Sequence, residues 1–338
     1  MATLVVQTSF LGDVVLTTPL IAALAQRGPV DVVTTAPGAQ ILANNPAIRN
    51  TIVYDKRGRD RGFLGFMRIA RELRDNDYET AYLAQGSVRS GALALSAGIP
   101  ERIGFDTSAG RTLYTERVRY RPDCHHAERL WSLAFSDCAD PPLVEQITPE
   151  VFPGDTDRRA AGALLGNAAI EHFIALAPGS AWGTKRWPFY PELAAKIADK
   201  FQIVVVGGDA DVESGNLIVA QLPPGRGLNA AGKLSFLASA EVIRRARALV
   251  GNDSAPQHFA SAMKTRTITI FGPTTAAFGF GPLTAGSESV GRTDLACRPC
   301  HKHGPARCPL GHWRCMREVS SEYVFGLISQ TLHERAQA

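Results

Sequence analysis

Short runs rich in Val, Ile and Leu alternate with segments of helical periodicity, and the series occurs twice in one chain. Leu4–Gln7, Val30–Thr34, Thr51–Tyr54 and Thr80–Leu83 read as buried strands, with Val14–Arg27 and Phe63–Asp75 as helices. Phe173–Ala177, Ile203–Val206, Ala248–Val250 and Thr267–Phe271 repeat the strand pattern. Tyr190–Lys200, Asp211–Gln221, Ser235–Ala246 and Pro256–Met263 supply its helices. Such alternation predicts parallel sheets covered by helices on both faces. Two series in 338 residues, more than twice the usual domain size, predict two doubly wound α/β domains. The proline- and acid-rich stretch Asp140–Asp157 reads as their connection, which gives domains over 1–150 and 151–338. Ligands of such sheets bind beyond the carboxyl ends of the strands, so a cleft between the domains is the expected site.

Several functions are disfavoured at once. No G-x-G-x-x-G follows the first strand, and no G-x-x-x-x-G-K-[ST] occurs, which argues against dinucleotide oxidoreductases and P-loop kinases. A net charge of +4 gives no general case for nucleic acid as a partner. The opening MATLVVQTSFLGD reads as a first strand and not a signal peptide, and no stretch of about 18 apolar residues occurs. A cytoplasmic location is expected, with peripheral contact at a membrane left open.

The loops after the strands carry the chemistry. The first strand leads into Thr8-Ser9-Phe10-Leu11-Gly12-Asp13 and then a helix. Asp13 either caps that helix or stands at the mouth of the cleft as a general base. In the second half a strand leads into Ala177-Pro178-Gly179-Ser180-Ala181-Trp182-Gly183-Thr184-Lys185-Arg186, rich in Gly and hydroxyl residues with two adjacent cations. Backbone N–H groups, hydroxyls and a lysine of this kind suit a phosphate. Further on, Val250-Gly251-Asn252-Asp253-Ser254-Ala255-Pro256-Gln257-His258 ends a strand and opens a helix whose N-terminus also favours an anion. Asp253 either caps that helix or stabilises a bound hydroxyl, and His258 either donates into the site or packs inside the helix.

Four motifs in order, FLGDVVLTTPL, APGSAWGTKRWP, VGGDADVESGNLI and VGNDSAPQHFASAMKTRTITIFGPT, resemble glycosyltransferase family 9. That family contains the ADP-heptose:lipopolysaccharide heptosyltransferases, and the heptosyltransferase II branch is the closest resemblance. The resemblance implies a GT-B fold with two Rossmann-like domains facing a central cleft. It implies an inverting transfer of heptose from ADP-heptose to the inner core of lipopolysaccharide, with Asp13 as general base. It further implies that Lys185 stabilises the leaving diphosphate, that Asp211 binds ribose and that Leu234 lines the adenine pocket. Ser180, Asp253, Ser254 and His258 would meet the diphosphate and the sugar, while Ala181 lacks the hydroxyl common at its position. Ala255 and Gln257 also depart from the family's usual Gly and Met. Asp209-Ala210-Asp211 has the letters of a metal-binding DxD but matches the ribose region, so no divalent cation is expected to be obligatory.

Lys56, Arg57, Arg59, Arg61, Arg68, Arg71 and Arg74 crowd into residues 56–74 around an amphipathic segment, and Arg89 follows another strand. They form either a solvated helix face or a docking patch for an anionic glycolipid at the inner membrane surface, with Arg59, Arg61 and Arg89 as acceptor-binding candidates. Finally, Cys297, Cys300, Cys308 and Cys315 lie close together in sequence, interleaved with His301, His303 and His312. C-x2-C spacing fits a structural zinc or other metal held by four thiolates, or by three and an imidazole. Oxidative pairing and free thiols in a core are the alternatives. For function, the alternatives are a non-catalytic nucleotide-sugar-binding module and a related transferase with another donor or acceptor.

Overall fold

The computed structural model of the chain describes residues 2–136 and 140–337. It divides into two compact units, Met1–Phe152 and Pro153–Ala338. In the first, β1 (Ala2–Gln7), β2 (Val30–Thr34), β3 (Asn50–Val53), β4 (Tyr78–Tyr82), β5 (Glu101–Phe105) and β6 (Glu116–Val118) form one parallel sheet in the order β3-β2-β1-β4-β5-β6. Its helices are α1 (Leu11–Ala25), α2 (Ala36–Ile41), α3 (Gly62–Arg74), α4 (Val88–Ser96), α5 (His126–Ser132) and α6 (Val144–Ile147).

The second unit repeats the topology. Its strands are β7 (Phe173–Ala177), β8 (Gln202–Val205), β9 (Gly227–Asn229), β10 (Leu249–Asn252), β11 (Thr267–Ile270) and β12 (Glu288–Val290). They run parallel in the order β12-β11-β10-β7-β8-β9, the same winding as the first sheet. The helices are α7 (Asp155–Asn167), α8 (Tyr190–Ile197), α9 (Val212–Val219), α10 (Phe236–Arg245), α11 (Ala255–Ala262), α12 (Arg314–Arg317) and α13 (Ser321–Gln337).

Central strands are buried on both faces, which is why β7 reads as a continuous apolar run. Leu4, Val6, Val33, Ile69, Leu73 and Leu83 anchor the first core. Ile174, Leu176, Tyr190, Val205, Val250 and Ile268 anchor the second. The sequence reading misses β5, β6, β9 and β12. Three of these are edge strands of three residues each, too short to show a period.

This winding reverses direction between β1 and β4 in the first sheet and between β7 and β10 in the second. At such a switch point the two neighbouring connections leave on opposite faces, and a crevice opens beyond the strand ends. The loops singled out in the sequence follow these four strands.

Candidate active site

In the first unit the turn after β1 is organised by Gln7, which is buried. Its amide donates to Thr17 Oγ1 at 2.9 Å and its carbonyl accepts from the Ser9 backbone N–H at 3.2 Å. Helix α1 then starts at Leu11 with Phe10 at the N-cap and no side-chain cap hydrogen bond. Asp13 therefore does not cap the helix. It sits within the first turn, where a carboxylate is favoured by the helix dipole, and retains about a fifth of its side-chain exposure. Ser9 Oγ donates to Asp13 Oδ2 at 2.5 Å, and His126 Nε2 lies 3.7 Å from Oδ1. Burial first, then the charges of Arg129 and His125, hold His126 far below its ordinary pKa, at about 3. The ring is neutral at physiological pH, so it presents a polar edge without a compensating charge. An oriented, solvent-reachable carboxylate can accept a proton from a bound hydroxyl. The sequence reading includes Ser9 in this turn without giving it a role, and it misses His126, which has no local motif to reveal it.

Around Asp13 the strand-end loops carry cations. Lys56 Nζ donates to the Thr8 carbonyl at 3.0 Å, and burial, then Arg57 and Arg89, lowers its pKa. Arg89 lies in the first turn of α4, exposed, with its guanidinium 5.9 Å from the Tyr54 ring. Arg61 is the exposed N-cap of α3. The basic run divides by role. Buried Asp60 accepts from Arg68 Nη2 at 2.6 Å and from Arg59 Nε at 3.4 Å, and Arg74 donates to the Ser96 carbonyl at 2.6 Å. Arg68 and Arg74 thus hold α3 to its neighbours, while Arg59, Arg61 and Arg89 face solvent. Phe63 and Leu64, in the first turn of α3, are 74% and 82% exposed and put apolar surface beside those cations.

In the second unit, β7 and β10 are joined at their ends by Asn252. Its amide donates to the Pro178 carbonyl at 2.8 Å while its Oδ1 accepts from the Trp187 backbone N–H at 3.1 Å. The loop between then makes a short turn, Gly183–Lys185, that buries the lysine stem. Lys185 Nζ donates to Asp253 Oδ2 at 2.6 Å. Asp253 also accepts from Thr274 Oγ1 at 2.7 Å and Gln257 Nε2 at 3.1 Å. Three donors on one carboxylate hold the lysine in one place. Thr274 and Gln257 complete this cluster and are further residues that sequence reasoning misses as partners.

Ser254 is the N-cap of α11, with no side-chain cap hydrogen bond, and its hydroxyl donates to the Gly179 carbonyl at 3.3 Å. Pro256 in the first turn takes one N–H away, while the remaining N–H groups and the dipole of the helix still favour an anion. Ser180 Oγ accepts from the Trp182 backbone N–H at 3.3 Å. His258 is buried, its ring 6.4 Å from that of Phe280 in an edge-on arrangement. Asp211 accepts from the Gly208 N–H at 3.0 Å and lies beside Gly179. A Cβ at Gly179 would lie 2.3 Å from Asp211 Oδ1, so a larger residue there would displace the carboxylate. Leu234 is half-buried just before α10. Lys185, Asp253, Ser254, Ser180 and Asp211 thus gather around the ends of β7 and β10.

A structural metal at the cysteine segment is not confirmed. Among the described residues no three His, Cys, Asp or Glu side chains gather as ligands of one metal. Cys297, Cys300, Cys308 and Cys315 are free thiols, so the disulfide alternative is not realised either. Cys315 follows Arg314 in α12 and is drawn into the core beside Met316, where burial above all pushes its thiol up to about 11. Cys300 instead sits at the surface, its backbone N–H on the Pro273 carbonyl at 3.1 Å. Cys297 Sγ approaches His312 Nε2 only to 3.9 Å.

Comparison with known proteins agrees with this geometry. The model of glycosyltransferase family 9 (heptosyltransferase) matches residues 66–312. Lipopolysaccharide heptosyltransferase 1 of Pseudomonas aeruginosa is 30% identical, over 89% of this chain and 86% of its own length. Among solved structures, a family 9 glycosyltransferase from Veillonella parvula superposes with a TM-score of 0.87 at 22% identity, covering 98% of this chain and 97% of that one. The Escherichia coli ADP-heptose LPS heptosyltransferase II does so at 0.80 and 22%, covering 99% and all of that chain. These two likenesses show the fold, which is GT-B. The family match spans more than half of the residues, and the chain belongs to glycosyltransferase family 9.

Proposed function

We propose that this enzyme transfers heptose from ADP-heptose to the inner core of lipopolysaccharide by one inverting displacement. The acceptor hydroxyl attacks the anomeric carbon, its proton passes to Asp13, and the bond from that carbon to the diphosphate oxygen breaks. ADP leaves with the electron pair. A sugar hydroxyl is a weak nucleophile, so a carboxylate that accepts its proton in the transition state is the group the step needs. Negative charge grows on the leaving diphosphate, where Lys185 and the N-terminus of α11 oppose it. Ser180, Asp253, Ser254 and His258 complete the diphosphate and sugar contacts, Asp211 takes the ribose, and Leu234 lies against adenine. The observation that carries the reading is Lys185. It is a nearly buried cation fixed by Asp253 at a switch point of the second sheet, where a nucleotide-sugar needs its phosphates bound.

The donor assignment is supported by the relatives, among them a lipopolysaccharide heptosyltransferase and an ADP-heptose LPS heptosyltransferase. A non-catalytic binding module would have no use for Asp13, whose carboxylate is oriented by Ser9 and still open to solvent. The test is ADP release from ADP-heptose in the presence of truncated inner-core acceptors. Turnover that depends on both substrates is expected, and ADP-heptose left intact with every acceptor overturns the proposal. The same assay in excess chelator should lose less than half its rate, because a lysine and helix N–H groups replace a metal at the diphosphate. Abolished turnover would refute that part.

The acceptor is proposed to dock on the first unit, through Arg59, Arg61 and Arg89 with Phe63 and Leu64 beside them. This combination of exposed cations and apolar side chains suits an anionic glycolipid at a membrane surface. Among the described residues no helix is long and apolar enough to cross a membrane. Each arginine near such a surface is worth about 1 kcal/mol, so Arg61→Glu with Arg89→Glu should raise the acceptor KM about tenfold or more. ADP affinity should stay as in the parent enzyme. Arg59→Glu is a poorer test, since it sets a second carboxylate against buried Asp60. An acceptor KM unchanged in the Arg61, Arg89 double variant removes the docking assignment.

A further inference from the structure

The cysteine-rich segment lacks a metal set, yet its backbone and side chains close around the loop that carries Lys185. Thr184 Oγ1 donates to the Pro305 carbonyl, and the Trp313 indole N–H donates to the Thr184 carbonyl at 2.9 Å. Gly304 takes a left-handed φ of +82°, and a Cβ there would lie 3.2 Å from Lys185 Cγ and 3.3 Å from both its Cε and Pro273 Cγ. The lysine stem therefore rests on the bare backbone of the segment.

A second set of contacts reaches the loop after β11. The Arg298 guanidinium donates to the Phe271 carbonyl at 2.9 Å and the Thr274 carbonyl at 2.8 Å, and also to Gly272. The Cys300 N–H bonds the Pro273 carbonyl between them. Thr274 is the residue whose hydroxyl holds Asp253, and Asp253 holds Lys185. Both ends of the cluster thus depend on residues 298–313. The segment is itself rooted in the core by Cys315 and Met316, with Cys297 and Trp313 packed against them.

We propose that residues 297–315 form a strap that fixes the diphosphate-binding cluster, with Trp313, Thr184 and Arg298 as positioning residues for Lys185 and Asp253. The inference rests on the reading of Lys185 as the cation for the leaving diphosphate. A lysine on a free loop must lose rotamer freedom when an anion binds, whereas one already held by its stem has lost it on folding. Charge that is placed beforehand also opposes the leaving group without reorganisation in the transition state. The cysteines then serve by position. Cys300 turns the chain onto Pro273, and Cys315 anchors the far end.

The test uses the full chain with Trp313→Phe, which keeps the ring and deletes the N–H, and with Thr184→Val and Thr184→Ser. Calorimetry gives the Kd for ADP, ligand-observed NMR gives that for adenosine, and the ADP-release assay gives kcat and both KM values. Trp313→Phe and Thr184→Val should each raise the ADP Kd and the donor KM about five- to tenfold, the effect of one lost hydrogen bond. Adenosine binding and acceptor KM should not move, and Thr184→Ser should return to within twofold of the parent. A general loosening of the fold would weaken adenosine as much as ADP, and that result overturns the strap, as does an ADP Kd unchanged in both variants. Should Trp313→Phe fail to fold, the Thr184→Val and Thr184→Ser pair decides the matter. A parent enzyme that neither binds ADP nor turns over ADP-heptose defeats the functional reading as well. An active parent with indifferent variants defeats the strap alone.

Discussion

Replacing Asp13 by Ala is expected to lower kcat by about 10²- to 10⁴-fold, the usual contribution of a positioned general base. The geometry says why the loss falls on kcat. Asp13 belongs to the first unit, with Ser9 and His126 as its neighbours. Every residue proposed for the nucleotide belongs to the second, so the Kd for ADP should be that of the parent. Asp13→Asn keeps the shape and the contact with Ser9 but cannot take a proton, and should be nearly as slow as Asp13→Ala. The pH profile adds a check. His126 is held at about 3 by burial and by Arg129 and His125, so it stays neutral from there upward. The acid limb of kcat/KM seen in the parent should disappear together with activity in Asp13→Asn. ADP release compared between the parent and both variants is the measurement. Equal rates would end the assignment of Asp13 as base.

Lys185→Met is expected to lower kcat/KM for the donor by about 10²- to 10³-fold, in line with the removal of one group that stabilises developing charge. Unlike the Asp13 variants, it should also weaken ADP binding, because the ammonium meets the diphosphate in the ground state too. A further consequence follows from the pair. Lys185 and Asp253 retain only 10% and 11% of their side-chain exposure. Removing the lysine leaves Asp253 with Thr274 and Gln257 as donors but without a compensating charge. A loss of stability on the order of 2 kcal/mol is expected, visible as a lower Tm. Lys185→Met with Asp253→Asn should recover much of that stability and none of the activity. An ADP Kd unchanged in folded Lys185→Met would show that the lysine does not face the phosphates.

Both proposed residues stand in local patterns that the sequence displays. A strand, a glycine-containing turn and a helix start can be recognised within a dozen residues, and their chemistry is confined to the ends of strands. The ambiguity over Asp13 was local as well. Capping by Asp13 needs the helix to begin just after it, and the helix begins earlier, at Leu11. The basic run from 56 to 74 shows the limit of such windows. Composition treats its arginines alike, whereas the buried carboxylate of Asp60 takes Arg68 into the fold and leaves Arg61 outside.

The cysteine segment shows the same limit from the other side. Its spacing suggested a metal, because the pattern of ligands is all that a sequence displays. In the folded chain Cys315 turns into an apolar core and Cys300 to the surface, a difference of environment that spacing does not show. What the amino-acid order determined by itself was the pair of strand–helix series, the loops at their strand ends, and the residue types those loops offer. Only the tertiary structure decided which loops meet. The order of strands sets the two switch points, brings His126 to Asp13, and sets Thr274, Arg298 and Trp313 around Lys185. Periodicity and capping act over a turn or two of chain. Contacts between distant segments depend on how whole layers pack, and no short window carries that information.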